Sequence, residues 1–122
     1  MEFPKILLDK ISYNLREKNE SIAIAESVTS GFLQLAFSQM PSAEQFFKGG
    51  ITAYTIEEKV KHLNIDFDEA QATNCVSRNI SEMMALNVAS LFDSDWSIAT
   101  TGYATPVKES DYKIFAWFSF SY

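Results

Sequence analysis

The stretch Ile22-Ala-Ile-Ala-Glu-Ser-Val-Thr-Ser-Gly31 joins a short apolar run to a helical pattern that begins at Phe32. The small and branched residues Ile22 to Ala25 predict a buried strand. Glu26, Ser27, Thr29 and Gly31 then supply polar and conformationally free positions. A strand that ends in serine just before a helix holds that hydroxyl in a fixed, exposed place. Backbone N–H groups and the positive end of the helix lie close by, which suits an anion or a developing oxyanion.

On the N-terminal side of this junction, Ile6, Leu7, Ile11 and Leu15 recur at helical spacing among charged residues. They predict an amphipathic helix over residues 3–18, ending near Asn19. On the other side, Phe32, Leu35, Ala36 and Gln39 predict a helix stopped before Pro41. Ser42 to Phe47 fits a short helical turn, Gly49-Gly50 reads as a break, and Ile51 to Tyr54 reads as the second strand. Thr55-Ile-Glu-Glu58 fits a capping box opening a helix that runs to Leu63. Residues 64–74 read as a connecting segment with room for a helical turn. Ser77 caps a longer helix with Ile80, Met84, Val88 and Leu91 on one stripe. Trp96 to Thr101 is the third expected strand, residues 102–111 a loop, and Lys113 to Phe120 the fourth strand. Helices alternating with short buried strands predict an α/β fold: a three-layer α/β/α sandwich around a mixed or parallel sheet. Residues 1–122 read as a single domain without repeats or low-complexity segments.

Composition agrees with one folded unit, since 47% of the 122 residues are apolar and 14% aromatic. Ten Lys and Arg against sixteen Asp and Glu give a formal charge of −6. That balance argues against a broad nucleic-acid footprint but leaves room for an anionic small ligand at a locally positive site. No apolar run approaches the ~18–20 residues that span a bilayer, and the first residues lack a signal-peptide layout. A cytoplasmic protein without a membrane partner is the expectation. Cys75 is the sole cysteine, so no internal disulfide forms, and it reads as an ordinary semi-buried thiol. Phosphate-loop, dinucleotide and zinc-helix motifs are missing, so neither a metal nor a cofactor is expected.

Catalysis at a serine needs a base for its proton and donors for the resulting oxyanion. The single histidine, His62, sits next to Lys61 in a predicted helix and reads as a solvated surface residue. Lys59 is the better candidate base. As the fourth residue of its helix it lies near the positive end, and that field with partial burial lowers its pKa. Tyr54 ends the preceding strand five residues earlier. Ser27, Tyr54 and Lys59 can pass a proton from hydroxyl to amine without an imidazole, although on spacing alone an exposed lysine and a core tyrosine are the default. Thr101-Gly102 follows the third strand as Ser27 follows the first, and ligands of open α/β sheets sit at such carboxyl ends. The same residues also occur in plain turns, and both readings stand. Trp96, Trp117 and Phe46-Phe47 read as core packing.

Four blocks, in order from Ile22 to Pro106, resemble the CinA C-terminal domain family. They are Ala25-Glu-Ser-Val-Thr-Ser-Gly31; Phe47-Lys-Gly-Gly-Ile-Thr-Ala-Tyr54 with Glu58-Lys-Val60 and Leu63; Val76-Ser77 with Met84-Ala85; and Ala99-Thr-Thr-Gly-Tyr-Ala-Thr-Pro106. The resemblance implies an amide hydrolase that converts the carboxamide of nicotinamide mononucleotide, or a related pyridine nucleotide, to the acid and releases ammonia. It implies Ser27 as nucleophile, Lys59 as general base and Tyr54 as proton relay or positioning partner. Glu26, Thr29, Ser30, Gly31, Gly50, Thr101 and Gly102 would shape the oxyanion and ligand sites, and a small-molecule nucleotide would be the partner.

The chain departs from the family pattern at Val28, where Cys is usual, at Ser30, where a Gly pair begins, and at Thr105. Val107-Lys-Glu-Ser-Asp-Tyr112 stands in place of a Gly-rich loop, and the sequence ends at Tyr122 where the family continues into a helix carrying arginine. The alternative expectation is therefore a non-catalytic ligand-binding or assembly domain on the same fold. Phe115, Trp117, Phe118 and Phe120 predict an uncovered apolar surface and a homo-oligomer.

Overall fold

Alternation along one central strand sets the layers. In the computed structural model, which describes residues 2–122, β1 (Ile22–Glu26) is buried at every position. Ala23 and Ala25 face one core together with Ile80, Met84, Ala85 and Val88 of a long helix. Ile22 and Ile24 face a second core with Leu15, Phe37, Met40 and Phe46. Small alanines on one face let a helix lie close against the strand, and the branched isoleucines fill the wider gap on the other.

The remaining elements are α1 (Lys5–Lys18), α2 (Phe32–Ser38), β2 (Phe47–Thr52), α3 (Ile56–Leu63), α4 (Phe67–Thr73), α5 (Arg78–Phe92), β3 (Trp96–Tyr103) and β4 (Phe115–Ser121). Short 3-10 turns occupy Ala43–Gln45 and Lys108–Ser110. The sheet order is β2-β1-β3-β4. β1 pairs in parallel with β2 and β3, while β4 runs antiparallel to β3. This is an α/β fold with a mixed sheet between helical layers.

The helix ends follow the local sequence. Asn19 closes α1 in the left-handed conformation, at φ 53°. The Thr55 hydroxyl accepts the Glu58 N–H at 3.2 Å, and the Ser77 hydroxyl accepts the Ile80 N–H at 3.1 Å. The Glu58 carboxylate meets His62 at 2.8 Å on the exposed side of α3, which leaves His62 at the surface.

Several boundaries differ from the sequence reading. β2 begins at Phe47 and runs through Gly49-Gly50, so the glycine pair lies inside the strand. A register shift near Lys48 and a φ of 125° at Gly49 accommodate the bend. Gly50 is required by space, since a Cβ there would stand 2.4 Å from the Ile24 carbonyl oxygen and 2.8 Å from the Gln34 side chain. α4 is a true helix where a connecting segment was expected, capped by the Asp66 carboxylate on the Glu69 N–H at 2.9 Å. β3 continues through Gly102 to Tyr103, with Gly102 opposite Ala116. Trp117 is exposed on β4 and is not core, because β4 is the sheet edge; Phe118 and Phe120 are exposed beside it. Trp96 is half-buried against Tyr122, their ring centroids 4.3 Å apart. Among the described residues no helix is long and apolar enough to cross a membrane.

Gly50→Ala is expected to cost about 2–4 kcal/mol in urea denaturation, because the Cβ meets backbone as well as the Gln34 side chain. An unchanged midpoint would contradict this packing.

Candidate active site

The carboxyl ends of β1 and β3, the first turn of α3 and the corner after α4 converge on one cavity of about 320 Å³. Its walls include Ser27, Tyr54, Lys59, Asn74, Thr101 and Gly102, with Tyr103, Ala104, Thr105, Val107 and Glu109 completing the rim.

The turn that carries Ser27 is held from beneath. The Glu26 carboxylate accepts the Leu33 N–H at 2.8 Å, the Gln34 N–H at 2.9 Å and the Thr29 hydroxyl at 2.6 Å. These amides are among the orphan donors of the first turn of α2, so a buried acid caps a helix whose own N-cap, Gly31, has no side chain. The Thr29 hydroxyl also lies 2.8 Å from that of Thr100, tying the turn to β3. Ser30 and Gly31 complete the reversal at φ 52° and 98°.

Lys59 is 3% exposed, and its Nζ donates to the backbone carbonyl of Tyr54 at 2.7 Å. Burial pushes its pKa below the ordinary lysine value, with the nearby Cys75 opposing the shift. Burial raises the Cys75 thiol above its ordinary value, the Lys59 charge opposes that, and Glu57 adds to it. The environment thus disfavours charge on both groups. The Tyr54 side chain is 64% exposed at the cavity wall, so it is not a core tyrosine.

The corner opposite is strained and pinned. Asn74 and Cys75 both adopt positive φ, at 52° and 60°. The Cys75 N–H donates to Ala70 O at 2.8 Å, and the buried Thr101 hydroxyl donates to Cys75 O at 2.6 Å. Asn74 tolerates this conformation at a helix end, whereas at Cys75 it costs about 1–2 kcal/mol, and these hydrogen bonds oppose that cost.

The family model of the CinA C-terminal domain matches residues 5–115 of this sequence. The chain belongs to that family. It is 39% identical over 92 residues to a CinA-like protein of Synechocystis, a match covering 75% of this chain and 22% of the relative. A putative competence-damage inducible protein of Streptococcus thermophilus is 38% identical over 97 residues, covering 80% of this chain and 23% of its own length. The chain therefore spans less than a quarter of the curated relatives it matches. A CinA superfamily protein from Escherichia coli superposes with a TM-score of 0.90 at 24% identity, over 99% of this chain and 74% of that one. A competence/damage inducible protein of Agrobacterium tumefaciens superposes with the same TM-score of 0.90 at 20% identity. At such identities the superpositions establish the fold.

Against this CinA fold, the residues singled out from sequence divide cleanly. Ser27, Tyr54, Lys59, Thr101 and Gly102 all line the cavity. Thr101 does so with its hydroxyl committed to Cys75, and Gly102 lies within β3 instead of a turn. A Cβ on Gly102 would stand 2.4 Å from the Phe115 carbonyl oxygen. Glu26, Thr29, Ser30, Gly31 and Gly50 do not line the cavity. Glu26 is fully buried with its oxygens occupied, Thr29 borders an apolar groove between α2 and β4, and Gly50 is fixed by packing. Ser30 is exposed and takes the left-handed conformation despite its Cβ, as serine does less readily than glycine. Sequence reasoning missed Asn74, Tyr103 and Glu109. Asn74 carried a signal, an asparagine where a helix must end in a left-handed residue; the other two carried none.

Because the folded pKa of Lys59 is lowered, the unfolded chain binds more protons between that value and the ordinary one. Lys59 should therefore make stability rise with pH across this window. Cys75, whose pKa is raised, acts with the opposite sign in both wild type and Lys59→Met. The stability of wild type relative to Lys59→Met, followed by urea denaturation between about pH 7 and pH 10, should climb with pH. A difference flat in pH would contradict the burial of the amine.

Proposed function

We propose that this CinA-family chain is an amide hydrolase acting on nicotinamide mononucleotide or a related pyridine nucleotide, with Ser27 as nucleophile and Lys59 as general base. The observation that carries the reading is a buried lysine with a lowered pKa sharing one cavity with a serine at the end of a parallel strand. A lysine in this state has an enlarged neutral fraction, and a neutral amine is a base.

In the proposed sequence Lys59 Nζ takes the Ser27 hydroxyl proton, directly or through the Tyr54 phenol, as Ser27 Oγ bonds to the carboxamide carbon. The carbon–nitrogen bond then breaks, the nitrogen takes the proton from Lys59 and leaves as ammonia, and an ester to Ser27 remains. Water attacks that ester, its proton passes through Lys59 back to Ser27 Oγ, and the carboxylic acid departs. The Tyr54 carbonyl fixes the amine and, as an acceptor only, leaves the lone pair of neutral Nζ free for the proton. No metal or redox step enters this sequence.

Incubation with nicotinamide mononucleotide is expected to release ammonia, and Ser27→Ala to reduce the rate by about a thousandfold or more while leaving the far-UV circular dichroism intact. Undiminished release from Ser27→Ala would exclude the serine as nucleophile. No release from folded wild type would favour a ligand-binding domain without turnover.

A further inference from the structure

We propose that Thr100 is a positioning residue for Ser27: through Thr29 and Glu26 its hydroxyl fixes the serine turn against β3 and sets where Ser27 Oγ stands in the cavity. What Ser27 then does rests on the amidase reading above; its placement rests on the hydrogen bonds. The parallel pairing of β1 with β3 ends at Ala25 opposite Ala99. Beyond that point the Thr29 and Thr100 hydroxyls, 2.8 Å apart, join the turn to β3. The next residues of β3, Thr101 and Gly102, line the cavity together with Ser27. Side chains alternate along a strand. Thr100 accordingly faces the groove beside α2, while the Thr101 hydroxyl donates to Cys75 O at 2.6 Å. Two adjacent threonines thus tie both walls of the cavity to one strand.

Chemistry fixes the direction of the link. A carboxylate only accepts, so the Thr29 hydroxyl proton goes to Glu26 Oε1 at 2.6 Å. Thr29 has no second hydroxyl proton, and Thr100 is therefore the donor of the 2.8 Å bond. The line from Thr100 through Thr29 to Glu26 holds the residue before Ser27 and the residue two after it. Thr100 is 5% exposed and lines an apolar groove of about 300 Å³ with Phe32, Leu33, Ile98, Phe118 and Phe120. Valine has nearly the same shape and would suit those neighbours, so packing alone gives no reason for a hydroxyl there. Removing the hydroxyl leaves Thr29 without its donor and weakens the bond that Thr29 makes to Glu26. A reacting atom displaced by about 1 Å can lose about a hundredfold in rate.

The test compares wild type with Thr100→Val, Thr100→Ala and Thr100→Ser, each checked for fold by circular dichroism, with Ser27→Ala as the blank. Mass spectrometry follows covalent labelling of Ser27 by a small serine-directed fluorophosphonate, and ammonia release from nicotinamide mononucleotide gives kcat and KM. Thr100→Val and Thr100→Ala are expected to slow labelling and lower kcat about ten- to hundredfold, with KM within about twofold of wild type. Thr100→Ser keeps the hydroxyl and should recover most of both rates. If wild type is labelled but releases no ammonia, the amidase reading fails and the labelling rates decide the positioning role by themselves. Labelling of Thr100→Val and Thr100→Ala at the wild-type rate, or a loss carried by KM, would overturn the proposal. So would a Thr100→Ser rate no better than that of Thr100→Val, unfolding of both hydroxyl-free variants, or a folded wild type whose Ser27 takes no label.

Discussion

The buried carboxylate of Glu26 is the constraint on which the candidate site rests. A carboxylate withdrawn from water costs several kcal/mol unless its lone pairs are met by donors. Here two amides of α2 and the Thr29 hydroxyl meet them. The same three bonds fix the end of β1 against the start of α2, so the backbone between them has little freedom. Ser27 is the next residue in that stretch, and its placement follows from an interaction beneath the cavity.

A second constraint acts from the other wall. Cys75 follows Asn74 in a left-handed conformation that most residues with a Cβ resist, and Thr101 holds it there through Cys75 O. This corner packs Cys75 into the core beside the buried Lys59. The cavity thus combines a buried serine and a buried amine with an exposed tyrosine and an exposed carboxylate at its edge. Interior groups in such a setting have shifted proton affinities, whereas rim groups act on whatever approaches.

The fold was legible wherever one residue type dictates local geometry. The apolar run of β1, the hydroxyl caps of α3 and α5 and the end of α1 at Asn19 all read directly from sequence, because each depends on near neighbours. The glycine pair of β2 misled because its meaning is tertiary: Gly50 is small so that the Ile24 carbonyl and Gln34 can approach, which no local pattern reveals. Trp117 misled for a similar reason, since an aromatic on an edge strand looks the same in sequence as one in a core strand. At the site, Ser27, Tyr54 and Lys59 line one cavity. Glu26 lies off the cavity with its oxygens occupied, and its proximity to Ser27 in sequence says nothing about which face of the strand it takes. Glu109 was invisible, being an ordinary surface residue until the Lys108–Ser110 turn brings it to the rim.

The proposed chemistry requires that burial turn Lys59 into a base. The direct measurement is an NMR titration of the Lys59 Cε resonance in protein carrying ¹³C-labelled lysine, assigned by its loss in Lys59→Met. The expected midpoint lies clearly below that of the other lysines in the same spectrum. A Lys59 midpoint indistinguishable from theirs would contradict it.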